Sequence, residues 1–200
     1  MPEDSVNQSK PDGRYPLGVI HGRFQILHND HRRYLLAGKN LCDHLVVGIT
    51  NPDPSLTRTD ASDQKRSRNL ANPLTYYERH CMVKEVLLEA GIAYEKFSIV
   101  PLPINLPELY KYYVPLEAVF FLSIYDEWGR RKQEMFRDLD LKTHVLWDVP
   151  EDKKGLSSSD IRQQLILGKD FWRDQVPTAT ERLVEDWGIA NRLREIAANS

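Results

Sequence analysis

Leu17-Gly-Val-Ile-His-Gly-Arg-Phe-Gln-Ile-Leu-His-Asn-Asp-His31 packs a strand end, a turn and a helix start into one short segment. Leu17 to Ile20 form an apolar run of the kind that makes a buried strand, His21 to Gln25 mark its exit, and His28 and His31 follow where the pattern becomes helical. In an open α/β sheet such a junction is where ligands bind. With the helix starting near Leu27 or His28, the two histidines lie i,i+3 on its first turn, beside amides that lack intrahelical partners. Those amides, the helix dipole and the imidazoles favour a polyphosphate. A partly exposed helix surface is the alternative that spacing alone leaves open.

On the N-terminal side, residues 1–14 are rich in Ser, Asp, Asn, Gln, Lys and Pro and read as a flexible tail, leaving 15–200 as a single domain. On the C-terminal side, a helix over 29–40 and a β-branched strand over 44–49 complete a βαβ unit. The segment 51–72 breaks this rhythm, with few large apolar residues and the cations Arg58, Lys65, Arg66 and Arg68. A flap over an anionic ligand and a solvated insertion both fit it.

Thr75-Tyr-Tyr-Glu78 is a capping-box pattern opening a helix that Gly91 ends. Arg79, one turn on, could reach a phosphate or pair near Glu78. A third strand is expected over 97–100, stopped by Pro101-Leu-Pro-Ile-Asn-Leu-Pro107, which reads as a rigid lip. A short helix over 108–113, strands over 118–123 and 144–147, and a helix over 131–139 follow. Ser157 then caps a helix with Asp160 at its third position, and Arg162 projects from the next turn. Together with His28 and His31 this gives two positive helix ends able to grip one polyphosphate, or simply a well-capped helix. Helices over 178–187 and 189–197 close the chain.

The alternation predicts an α/β fold: a Rossmann-like open, mainly parallel sheet of about five strands flanked by helices, with additional C-terminal helices. The formal charge of -2 argues against a mainly nucleic-acid-binding chain. Cys42 and Cys81 form no paired motif and suggest a reducing, cytoplasmic setting. No apolar run is long enough for a bilayer, so no membrane partner is expected.

These motifs, in this order, resemble the nucleotidyltransferase superfamily with the HxGH signature, especially the archaeal-type nicotinamide-nucleotide adenylyltransferases. Gly22-Arg-Phe-Gln25 with His28-Asn-Asp-His31, Asn72-Pro-Leu-Thr75 with Glu78-Arg79, and Ser157-Ser-Ser-Asp-Ile-Arg162 carry the likeness. It implies that an oxygen of a phosphate-bearing acceptor attacks the α-phosphorus of an NTP and releases pyrophosphate. His28 and His31 would hold the triphosphate, with Arg23 in the Gly22-Arg23-Phe24 turn; Ser157, Ser159 and Arg162 would bind the leaving phosphates. Asn72, Thr75, Arg79, Asn105, Tyr110 and Tyr125 are candidates for acceptor binding or closure. Mg2+ would arrive with the NTP, and no protein residue is singled out as its ligand. The resemblance is also compatible with a homo-oligomer.

ATP with nicotinamide mononucleotide, giving NAD, is the first substrate pair the resemblance suggests. Three departures favour considering CTP with a small phosphonate or phosphate metabolite, or a non-catalytic nucleotide sensor. Asp30 stands where the signature has glycine. Pro101 to Asn105 matches the family's proline segment only in part, with no tryptophan after it and Tyr110 as the one aromatic proposed to stack a base. Ser123-Ile-Tyr-Asp-Glu127 replaces the usual turn after strand four.

Overall fold

A computed structural model describes residues 14–53, 69–150 and 155–199. The expected tail lies almost wholly outside them, as do Arg58, Lys65, Arg66 and Arg68 of the expected flap. Five strands form one sheet: β1 (Tyr15–Gly22), β2 (Cys42–Thr50), β3 (Phe97–Leu102), β4 (Val119–Ile124) and β5 (Lys142–Asp148). Their order is β3-β2-β1-β4-β5, and every pairing is parallel. Helices α1 (Asn29–Asn40), α2 (Tyr76–Glu89), α3 (Glu127–Asp138), α4 (Ser158–Ile166), α5 (Thr178–Asp186) and α6 (Ile189–Ala198) complete the fold.

Successive side chains of a strand point to opposite faces, and the central strands are nearly continuous apolar runs, so both faces of the sheet are covered there. Ile20, Val47 and Phe121 enter one core with Leu35 of α1, Val83 of α2, Leu165 of α4 and the C-terminal helices. Val19, Val46 and Phe120 enter the opposite core with Tyr110 and Phe136 of α3. Thus α1 and α4 lie on one face and α3 on the other. Chain order reverses between β1 and β4. Those strands pair only at Gly18 with Val119 and Val19 with Phe120, so beyond these positions they part. A crevice opens at their carboxyl ends, the usual ligand position in such sheets.

Three expectations are corrected. The third strand runs through Pro101, paired with Ile49, to Leu102. It is an edge strand, where the missing amide of proline faces no neighbour. Helix α3 starts at Glu127 rather than 131, because Asp126 caps it by accepting from the Gly129 N–H at 2.9 Å. The terminal helices, expected to cover the sheet, pack on α2 and α4.

Candidate active site

A cavity of about 420 Å³ occupies this crevice. Its wall includes His21, Gly22, Arg23, Phe24, Gln25, His28, Asp30 and His31 from β1 and α1. Ser123 of β4, Tyr125 of the turn after it and Lys132 of α3 face them, and Gly155 to Ser159 with Arg162 close it from the entry and first turns of α4.

The β1–α1 turn is fixed by packing. Phe24 is fully buried with φ 51°, its ring 5.2 Å from that of His31. A Cβ on Gly22 would lie 2.7 Å from the Phe24 ring, so this close turn excludes a side chain there. His28 is the N-cap of α1, its N–H 3.4 Å from His31 Nδ1, and the imidazoles stack with centroids 3.7 Å apart. Burial lowers the His28 pKa to about 4 against the weaker pull of Asp30 and Asp160. Burial, then His28 and Arg23, hold His31 well below its ordinary value. Burial thus favours the neutral form of both rings near pH 7, in which they offer hydrogen bonds rather than resident charge. The Nδ1 atom of His28 is buried with no hydrogen-bond partner among the described residues.

The second helix mouth is bolted onto the first. Ser158 Oγ donates to the Ile26 carbonyl at 2.8 Å, and Arg162 donates to the Gln25 carbonyl and, at 3.0 Å, to Ser159 Oγ. Ser157 caps α4 by accepting from the Asp160 N–H at 3.2 Å. Asp30 Oδ2 accepts from the Leu156 N–H at 2.7 Å. The aspartate that departs from the glycine of the signature is therefore a tie between α1 and the entry to α4. A Cβ on Gly155 would sit 2.1 Å from that same oxygen.

The acceptor and closure candidates separate. Tyr125 lines the cavity and its hydroxyl accepts from Trp147 Nε1. Asn72, Thr75, Arg79, Asn105 and Tyr110 do not line it. Thr75 caps α2 in a reciprocal pair with Glu78, whose carboxylate holds Arg192 at 2.7 Å. Arg79 is buried and donates to the carbonyls of Arg23, Thr50, Asn51 and Thr75 at 2.7–3.2 Å. It fastens the strand exits to α2 rather than reaching a phosphate. Tyr110 is buried in the α3-side core and donates to the Ile104 carbonyl at 2.5 Å, which removes it as a stacking platform.

Sequence reasoning missed His21, Gln25 and Lys132. Gln25 exchanges two 2.9 Å hydrogen bonds with the backbone of Leu74. His21 is buried at the carboxyl end of β1, 3.3 Å from Lys132 Nζ. A histidine ending an apolar strand run is a signal that could have drawn attention to it.

An open parallel sheet with a two-mouthed polar crevice at its switch point defines a nucleotide-handling α/β enzyme. The match is specific: residues 19–164 fit the cytidylyltransferase-like family, and the chain belongs to it. It is 44% identical over 177 residues to the phosphonoformate cytidylyltransferase of Streptomyces viridochromogenes, covering 88% of this chain and 95% of that protein. The nicotinamide-nucleotide adenylyltransferase of Pyrococcus horikoshii is 29% identical over 184 residues, covering 91% and 89%. A solved bifunctional NMN adenylyltransferase/ADP ribose pyrophosphatase from Francisella tularensis superposes with a TM-score of 0.63 at 16% identity. That match covers 90% of this chain and 53% of the longer protein, and it speaks for the fold alone. The chain is a nucleotidyltransferase of the HxGH-type superfamily, acting on an NTP and a small phosphate-bearing acceptor. Its enzyme class sets aside the sensor alternative. Among the described residues no helix is long and apolar enough to cross a membrane.

Proposed function

We propose that the enzyme transfers CMP from CTP to a small phosphonate and releases pyrophosphate. The observation that carries this reading is the 44% identity to a phosphonoformate cytidylyltransferase across nearly all of both chains, against 29% to an adenylyltransferase. It favours the cytidylyl alternative over ATP with nicotinamide mononucleotide. The burial of Tyr110, which leaves that lip without the proposed stacking aromatic, agrees with it.

In this reading the acceptor oxygen attacks the α-phosphorus of CTP while the bond from that phosphorus to the bridging oxygen breaks. The acceptor brings its own nucleophile, so the protein contributes positioning and electrostatic stabilisation. His28 and His31 donate hydrogen bonds to the phosphates, and their pKa values rise as negative charge enters. The amide ends of α1 and α4, Arg23 and the Ser157 and Ser159 hydroxyls bind the β- and γ-phosphates. Arg162, seated against Ser159, offsets the charge that develops on pyrophosphate.

Mg2+ fits this site as a companion of the NTP. Among the described residues there is no group of three candidate ligands, and the cavity carboxylate of Asp30 already accepts from Leu156. Phosphate oxygens and water would complete its shell, as that ion commonly prefers. The free Cys42 and Cys81 agree with a cytoplasmic setting.

The test is a comparison of kcat/KM for CTP with phosphonoformate and for ATP with nicotinamide mononucleotide, with products identified by mass. A CMP ester formed with equimolar pyrophosphate supports the proposal. Faster NAD formation with CTP idle would assign the adenylyltransferase reaction instead.

A further inference from the structure

We propose that Lys132, seated by His21, is the acceptor-binding cation of this enzyme and recognises a second anionic group carried beside the acceptor's phosphonate. The inference rests on the transfer reaction proposed above and names the substrate feature that its site selects.

The two helix mouths and Lys132 lie on opposite faces of the sheet. His28, His31 and the α4 entry belong to the face built from Ile20 and Phe121, whereas His21 points to the other, its ring 5.5 Å from that of Phe136. Lys132 reaches the cavity from α3 on this second face. Attack at phosphorus is in line, with the nucleophile entering opposite the leaving group. If pyrophosphate departs along α1 and α4, the acceptor approaches from the side where Lys132 stands.

His21 makes that position specific. It is 5% exposed, so the end of β1 holds it rigidly, and its Nε2 accepts from Lys132 Nζ at 3.3 Å. Burial, reinforced by the neighbouring ammonium, keeps the ring neutral. A neutral acceptor orients the lysine without adding an opposing charge of its own. The other ring nitrogen, Nδ1, is buried with no hydrogen-bond partner among the described residues. A carboxylate attached to the acceptor phosphonate would meet a lysine ammonium there, and charge-assisted contacts of this kind are the strong ones. An acceptor with only its phosphonate would not use the subsite.

The experiment compares the native enzyme with Lys132→Met and Lys132→Arg, using phosphonoformate and methylphosphonate as acceptors. Lys132→Met should raise KM for phosphonoformate about 30-fold, with kcat within about threefold and KM for CTP within about twofold. Its use of methylphosphonate should match that of the native enzyme, and Lys132→Arg should recover most of the loss. His21→Leu should shift the same KM about fivefold, leaving kcat and KM for CTP in place, as expected of a positioning residue. An unchanged phosphonoformate KM in Lys132→Met, or equal losses with both phosphonates, would overturn the subsite while leaving the cytidylyl reaction intact. Calorimetric titration of phosphonoformate into native and Lys132→Met proteins reads the subsite without turnover. Native binding that is lost in Lys132→Met upholds it even if CMP transfer fails, and equal or absent binding in both rejects it.

Discussion

The carboxylate of Asp30 in α1 accepts the N–H of Leu156, 126 residues further along the chain, at 2.7 Å, joining the first turn of α1 to the entry of α4. This contact explains how an acidic residue can stand beside an anion-binding cavity. One of its oxygens is committed to ordering the α4 entry, and its helix position also suits the dipole of α1.

Replacing Asp30 therefore tests positioning against charge. Asp30→Asn keeps an oxygen acceptor and should leave KM for the NTP within about threefold, whereas Asp30→Ala should raise it about tenfold. Gly155→Ala should also impair NTP binding, because its methyl would meet Asp30, and Asp30→Ala should relieve part of that loss. Steady-state KM values for the native enzyme, Asp30→Ala, Gly155→Ala and the double variant give the coupling, and strictly additive effects would show that the two residues do not meet.

Arg79 makes a contrasting prediction about stability. Arg79→Met leaves the carbonyls of Arg23, Thr50, Asn51 and Thr75 without their shared buried donor. We expect a loss of about 3 kcal/mol in urea unfolding. A variant of native stability with a selectively raised NTP KM would restore the phosphate-binding reading of this residue.

The histidine pair gives stability a pH dependence with a defined sign. His28 titrates near 4 in the folded protein and near 6.5 when unfolded, so between these values the unfolded chain binds more protons. Stability of the ligand-free protein therefore falls as pH drops from 6.5 towards 4, and the lowered pKa values of His21 and His31 act in the same direction. Saturating Mg-NTP, by raising the pKa of the pair, should flatten this slope. Urea midpoints at pH 7 and pH 5, with and without nucleotide, measure both effects; the same slope with and without nucleotide would place the phosphates away from the imidazoles.

Tyr110 should matter to folding and not to substrate choice. Tyr110→Phe removes the hydroxyl that reaches Ile104 and should cost about 1 kcal/mol, with both KM values unchanged. A raised KM for either substrate would return the ring to the ligand.

The fold was legible because its strands are short apolar runs separated by capped helices, and the caps at Thr75 and Ser157 stand where their side chains suggest. Pro101 misled because edge position, which makes proline tolerable, depends on strand order and not on local sequence. The start of α3 was obscured by Glu127 to Lys132, whose charges resemble a loop, although Asp126 three residues before Gly129 is a usable cap signal. At the site, the helix-mouth residues were readable from local spacing. His21 and Lys132 were not, since 111 residues separate them and only the adjacency of β1 and β4 brings them together. Arg79 and Tyr110 stayed open in the sequence for a related reason: a cation or an aromatic near a strand end says nothing about which way it is buried.

In the proposed reaction the mouths of α1 and α4 share one triphosphate. The most direct measurement is a crystal structure with Mg2+ and α,β-methylene-CTP, whose bridging carbon resists displacement. Phosphate oxygens are expected within about 3 Å of a ring nitrogen of His31 and of Ser159 Oγ in the same molecule. A well-ordered nucleotide whose phosphates touch only one of these helix ends, or neither, would contradict it.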